Sequence, residues 1–115
     1  MNDWRDLKRT IKALADVARL TIVYHLAHNE QEMTVNALTD LLNISQPLVS
    51  WHLRRLRRAG LVETRRAGRQ VYCSLNRAQF TACLHALEGL IDPTIQVATP
   101  PVGAALMEGD APLEE

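Results

Sequence analysis

Four residues, Leu42-Asn43-Ile44-Ser45, do most to fix what this chain can fold into. They separate two amphipathic stretches, one carrying Leu38, Leu41 and Leu42 and the next carrying Val49, Leu53 and Leu56. So brief a break forces a tight turn between two helices, and Asn43 tolerates the left-handed backbone such a turn demands. Thr34 is placed to cap the first of these helices and Ser45 the second. Pro47 fits the first turn of the second helix, where a backbone amide has no partner inside the helix anyway. Ile44 before the cap and Val49 after it can form a hydrophobic staple that sets the entry angle. With Val49, Leu53 and Leu56 turned inward at i, i+4 and i+7, Gln46, Ser50, Arg54, Arg57 and Arg58 point largely outward. Gly60 ends this helix.

Charge singles out the same region. The chain has a formal charge of zero, yet Arg54, Arg55, Arg57 and Arg58 fall within five positions. Between residues 45 and 77 eight basic side chains stand against one acid, Glu63, so that segment is +7 and the remainder −7. A polyanion within a Debye length of ~8 Å feels the local field and not the total.

At 115 residues the chain is expected to form one domain with a single modest core. A first helix is expected from about Asp3 to Ala15, with Leu7, Ile11 and Leu14 on its inner face. Asp16 can cap a second helix running to about His28, with Leu20, Val23 and Leu26 inward. Beyond Gly60, the runs Leu61 to Arg65 and Gln70 to Leu75 read as strands joined at Gly68 into a hairpin with a basic tip. A fifth helix, about Arg77 to Ile91, would bury Phe80, Cys83, Leu84, Leu87, Leu90 and Ile91, more apolar surface than a lone outer helix needs. From Pro93 to residue 115, four prolines, two glycines and four acids with no base predict a flexible acidic tail outside the 1–92 domain. The N-terminal MNDWRDLKRT lacks the apolar stretch of a signal peptide, and no apolar run approaches the ~18 residues of a membrane span. A cytoplasmic protein without membrane contact is the expectation.

A short helix, a tight turn, a helix with a polar outer face and a basic hairpin make up the winged helix-turn-helix arrangement, mainly α with a small β-hairpin wing. The major groove of DNA admits one helix, and short side chains near its N-terminus let the backbone approach base edges. Gln46 and Ser50 suit base reading, whereas arginines one to two turns later suit phosphates on the groove walls. The helix N-terminus at Ser45 adds a partial positive end. Arg66 and Arg69 flank the hairpin tip.

The stretch ALTDLLNISQPLVSWHLRRLRRAGLVETRRAGRQVYCSL, residues 37–75, resembles the ArsR/SmtB family of bacterial repressors in its SQ, VS, HL and AGLV elements. LADVARLTIVYHL, residues 14–26, is similar to that family's LADPTRLRIL segment, with Val17 in the usual proline place and Arg19 matching. The resemblance implies a winged-helix homodimer joined through its first and fifth helices, reading a palindromic operator on double-stranded DNA in successive major grooves. It places Gln46, Pro47, Ser50 and Arg54 at the groove and Arg66 and Arg69 on the wing. His52, at the motif's histidine, has two readings, a packing role beside Leu53 and a DNA contact.

Many relatives in that family are released from DNA by metals. The family's thiolate pair would fall at Thr34 and Asn36, and its interfacial ligands at Arg77, Gln79, Leu90 and Pro93, none suited to the task. His25 with His28, and His85 with Glu88, are the helical pairs that could supply half a zinc site, yet such spacings arise easily by chance, so no metal and no cofactor is expected. Cys73 and Cys83 are read as small packing residues, with redox sensing through a disulfide as the sharper alternative. No nucleophile beside a base, phosphate-cradling glycine loop or carboxylate pair points to an enzyme. The competing class is a winged-helix module whose arginines meet an acidic protein. The inducing signal is not legible in these residues.

Overall fold

The computed structural model describes residues 4–95 and residue 103. Its elements run α1 (Trp4–Leu14), α2 (Val17–His28), β1 (Met33–Thr34), α3 (Val35–Leu42), α4 (Gln46–Arg58), β2 (Val62–Ala67), β3 (Gln70–Leu75) and α5 (Arg77–Glu88). Side chains just outside the helices start them. Asp16 Oδ1 accepts the Arg19 amide at 3.1 Å, Thr34 Oγ1 that of Ala37 at 3.0 Å, and Ser45 Oγ that of Leu48 at 3.3 Å. Asn76 caps α5 in the same way, through the Gln79 amide at 3.2 Å, a cap the sequence reading passed over.

The turn between α3 and α4 is built as expected: Asn43 adopts φ 55° and ψ 44°, and its amide closes on Thr39 O at 2.9 Å. At the far end of α4, Gly60 takes φ +77°. There the Leu61 amide reaches Leu56 O at 3.0 Å and the Gly60 amide reaches Arg57 O at 2.9 Å, the paired bonds of a Schellman stop. Val49, Leu53 and Leu56 are buried as their spacing predicts, and they join Ile22, Leu26, Leu38, Leu61, Val62 and Cys73 in one core. Ile44 packs on that core beside Val49's helix.

The hairpin pairs β2 with β3 antiparallel from Val62↔Leu75 to Ala67↔Gln70, leaving Gly68 (φ +62°) and Arg69 as its two-residue tip. A third strand was not anticipated. Met33 and Thr34 pair with Cys73 and Tyr72, giving the sheet order β1-β3-β2 and tethering the wing to the start of α3.

Three inward faces differ from the sequence expectation. On α1 the buried positions are Leu7, Thr10 and Ala13, while Ile11 faces out. Thr10 can be buried because its hydroxyl donates to Asp6 O at 2.8 Å. On α2, Arg19, Ile22, Val23 and Leu26 are buried and Leu20 is half exposed. On α5 only Cys83 and Ala86 are fully buried, against Leu7 of α1, and the helix stops at Glu88, three residues early. Leu84, Leu87, Leu90 and Ile91 are exposed on the isolated protomer, so the surplus apolar surface of this helix has no cover among the described residues. The tail beyond residue 95 lies outside the described residues, apart from residue 103. Among the described residues no helix is long and apolar enough to cross a membrane.

Candidate nucleic-acid interface

The cap and the core together decide which side of α4 is offered. Ser45, Gln46 and Pro47 form an exposed N-terminal end, and Ser50 lies half buried one turn on. Arg54, Arg57 and Arg58 continue along the exposed side. Arg57 is steadied by a bond from Nη1 to Thr64 Oγ1 of β2, 3.1 Å long, which couples helix to wing. Between them lies a cleft of about 250 Å3 lined by Ser50, Arg54, Arg57, Thr64 and Arg66 among others. Arg69 stands exposed at the hairpin tip. Among the described residues no acid pairs with Arg54, Arg57, Arg58, Arg66 or Arg69. The ridge therefore keeps its field.

Two of the eight basic residues in the +7 segment are employed otherwise. Arg65 Nε donates to both oxygens of Glu32, at 2.7 and 3.0 Å, while its guanidinium lies 4.5 Å from the Tyr72 ring centre. Tyr72 sits directly across the strand pair, so Arg65 braces the wing from its other face. Arg77 Nη2 donates to Ala27 O at 2.8 Å and holds α5 to the end of α2.

Behind the ridge is a buried polar contact that hydropathy alone conceals. Arg19, 6% exposed, sends Nε to Ala13 O at 2.6 Å and Nη1 to His52 Nδ1 at 3.1 Å. A guanidinium only donates, so Nδ1 accepts and the His52 proton sits on Nε2. Burial lowers the His52 pKa below its usual 6.5; the Asp16 carboxylate opposes this, and the Arg19 and Arg55 cations add to it. The ring is neutral, as its bond to Arg19 requires. Asp16 is held below the usual carboxylate range, chiefly by the Arg19 amide it caps. At 5% exposure the His52 ring faces the core side of α4, which favours its packing reading over its reading as a DNA contact. Arg19 is the residue this reading missed, and the signal lay in the similarity at that position.

Among the described residues no three His, Cys, Asp or Glu side chains converge to hold a metal. His28 instead stacks on Tyr24 at 4.2 Å and bonds its carbonyl through Nδ1 at 2.8 Å. Cys73 and Cys83 are both buried and free, and they belong to separate packing clusters. Burial pushes the Cys73 thiol up to about 11, with the Glu32 charge adding to the effect, and burial raises Cys83 too. Sensing cysteines need the thiolate, so this placement counts against the redox reading of either residue.

The geometry has counterparts in known proteins. Residues 16–64 match the model of the bacterial regulatory protein, arsR family. The transcriptional activator HlyU of Vibrio cholerae is 38% identical over 80 residues, covering 70% of this chain and 72% of that protein. The chain belongs to the arsR family. Another arsR-family likeness is the HTH-type transcriptional repressor SmtB of Mycobacterium tuberculosis, 44% identical over 61 residues, or 53% of this chain; the match spans 44% of that repressor's length. Among solved structures of arsR type, a homodimeric winged helix-turn-helix DNA-binding domain (fragment 1–100) from Mycobacterium bovis, described as a possible ArsR-family regulator, superposes with TM-score 0.59 at 31% identity. It covers 75% of this chain and 82% of that one. These arsR-family relatives are regulators by name, not enzymes.

Proposed function

We propose that this chain is a sequence-specific DNA-binding regulator of transcription, a repressor that acts in the cytoplasm as a homodimer on a palindromic operator. The observation that carries the reading is the ridge itself: five guanidinium groups with no acid partner among the described residues, borne by α4 and the wing, beside a helix end that offers Ser45, Gln46 and Ser50. Gln46 and Ser50 read base edges, Pro47 keeps the entry turn rigid, and the Ser45 end of the helix meets a phosphate. Arg54, Arg57 and Arg58 hold the groove walls, while Arg66 and Arg69 hold the backbone of the neighbouring turn. Dimerisation supplies the missing cover for Leu84, Leu87, Leu90 and Ile91 of the α5 segment and for Ile11 of α1. The homodimeric state of the Mycobacterium bovis domain supports this. Repression is taken from the family resemblance and from the repressor name that SmtB bears, while HlyU bears the name activator.

The test is fluorescence anisotropy with duplexes tiled across the DNA upstream of its own gene. One segment should bind far more tightly than its scrambled version. No binding to any duplex at low salt would overturn the proposal.

A further inference from the structure

The recognition helix has a second basic flank, of which the proposed function uses only Arg58. At 100° per residue, Arg57 and Arg55 lie about 160° apart around the α4 axis. Arg57 faces the wing. Arg55 and Arg58 instead face α1, where they line a cavity of about 320 Å3 with Arg9 and Lys12 over a floor of Ala13 and Ala59. Both alanines are nearly buried, at 5% and 6% exposure, and their small side chains leave the space that the four cations surround. Arg55 is held in place by the Trp51 ring, 5.2 Å from its guanidinium. Arg9 Nη1 reaches Asp6 at 3.3 Å, an exposed pair that an incoming anion can share.

Four cations from two helices around one cavity call for an anion with several oxygens. A helix about 10–12 Å across that sits in a major groove about 12 Å wide has a phosphate backbone along each flank. One flank of α4 offers its phosphates the wing cleft, and the other offers the cavity shared with α1. We infer that the cavity lined by Arg9, Lys12, Arg55 and Arg58 is a phosphate-binding subsite for the DNA backbone on the α1 side of the recognition helix. The assignment rests on the proposed function. It makes α1, otherwise assigned to core packing and the dimer joint, part of the DNA-binding surface, and it adds affinity without sequence preference.

The experiment compares the full chain with its Arg9→Gln/Lys12→Gln double variant on the tightest promoter duplex and its scrambled version, by anisotropy across a range of salt. Both replaced positions lie on the outside of α1, and unchanged circular dichroism and thermal midpoint verify the fold. The slope of log affinity on log salt should become shallower by about 0.9 per protomer, a loss of about eightfold per protomer at about 0.1 M salt. The loss should be equal on both duplexes, leaving their ratio intact. A wild-type protein that binds, with a variant of unchanged slope, would overturn the subsite and spare the function. Pyrophosphate binding lost in the variant alongside an unchanged DNA slope would assign the cavity to a free phosphorylated molecule, which also overturns it. A wild-type protein that binds no duplex would sink both.

Discussion

Arg19 Nη1 and His52 Nδ1 lie 3.1 Å apart, joining α2 to the core side of the recognition helix. The same guanidinium ties down the end of α1 through Ala13 O. One buried side chain thus fixes three helices, and the angle at which Gln46 and Ser50 are presented depends on it. No buried side-chain polar atom among the described residues lacks a partner, which is what makes such a contact affordable.

Replacing Arg19 by alanine removes two charge-assisted bonds and leaves Ala13 O and His52 Nδ1 without a donor. The expected cost is about 2–3 kcal/mol in urea unfolding. Arg19→Lys should recover only part of it, since an ammonium cannot span two acceptors as a planar fork does. A loss below about 0.5 kcal/mol, the size of an ordinary surface substitution, would contradict this role.

The His52 contact makes stability depend on pH in a stated direction. Its folded pKa lies below 6.5, so between the two values the unfolded chain binds more protons than the folded one. The contribution is complete above about pH 6.5 and is lost as pH falls from there toward the folded value. Thermal midpoints measured from pH 7.5 downward should drop more steeply for the wild type than for His52→Gln, whose amide oxygen keeps an acceptor but does not titrate. Parallel curves would show that His52 does not carry the dependence.

The left-handed residue at the helix junction gives a third expectation. Asn43 at φ 55° should be replaceable by glycine within a few tenths of a kcal/mol, whereas Asn43→Val should cost about 1–2 kcal/mol through its branched side chain. Denaturant midpoints of the two variants check this, and equal midpoints would contradict it.

What the residues disclosed in advance was whatever depends on near neighbours. The caps at Asp16, Thr34 and Ser45, the turn at Asn43, the hairpin tip at Gly68 and the inner stripe of α4 are each decided within a few positions, and each was legible. β1 was not, because a two-residue strand at Met33–Thr34 exists only through pairing with Cys73 and Tyr72, some forty positions on. Hydropathy also misplaced the faces of α1 and α2. It favoured Ile11 and Leu20 for the interior, whereas close helix packing uses Thr10 and Ala13 and the hydrogen-bonded Arg19. The basic ridge was readable as a concentration of charge; the diversion of Arg65 to Glu32 and of Arg77 to a carbonyl was not, since both partners lie far away in sequence.

The cysteines should behave as packing residues. With the Cys73 thiol at about 11 and Cys83 raised as well, labelling of the native protein by a thiol reagent at pH 8 should be far slower than labelling in urea. Cys83→Ser should leave any response to oxidant unchanged. Native labelling as fast as unfolded labelling would revive a redox role.

The central claim is that the unpaired arginines of α4 and the wing exist to neutralise phosphates while Gln46 reads bases. The most direct measurement is the slope of log affinity against log salt, taken on matched and scrambled duplexes. Arg54→Gln should flatten the slope by about 0.9 per protomer on both duplexes, whereas Gln46→Ala should leave the slope and shrink the difference between them. A wild-type affinity indifferent to salt, or an Arg54→Gln variant with the wild-type slope, would contradict the account.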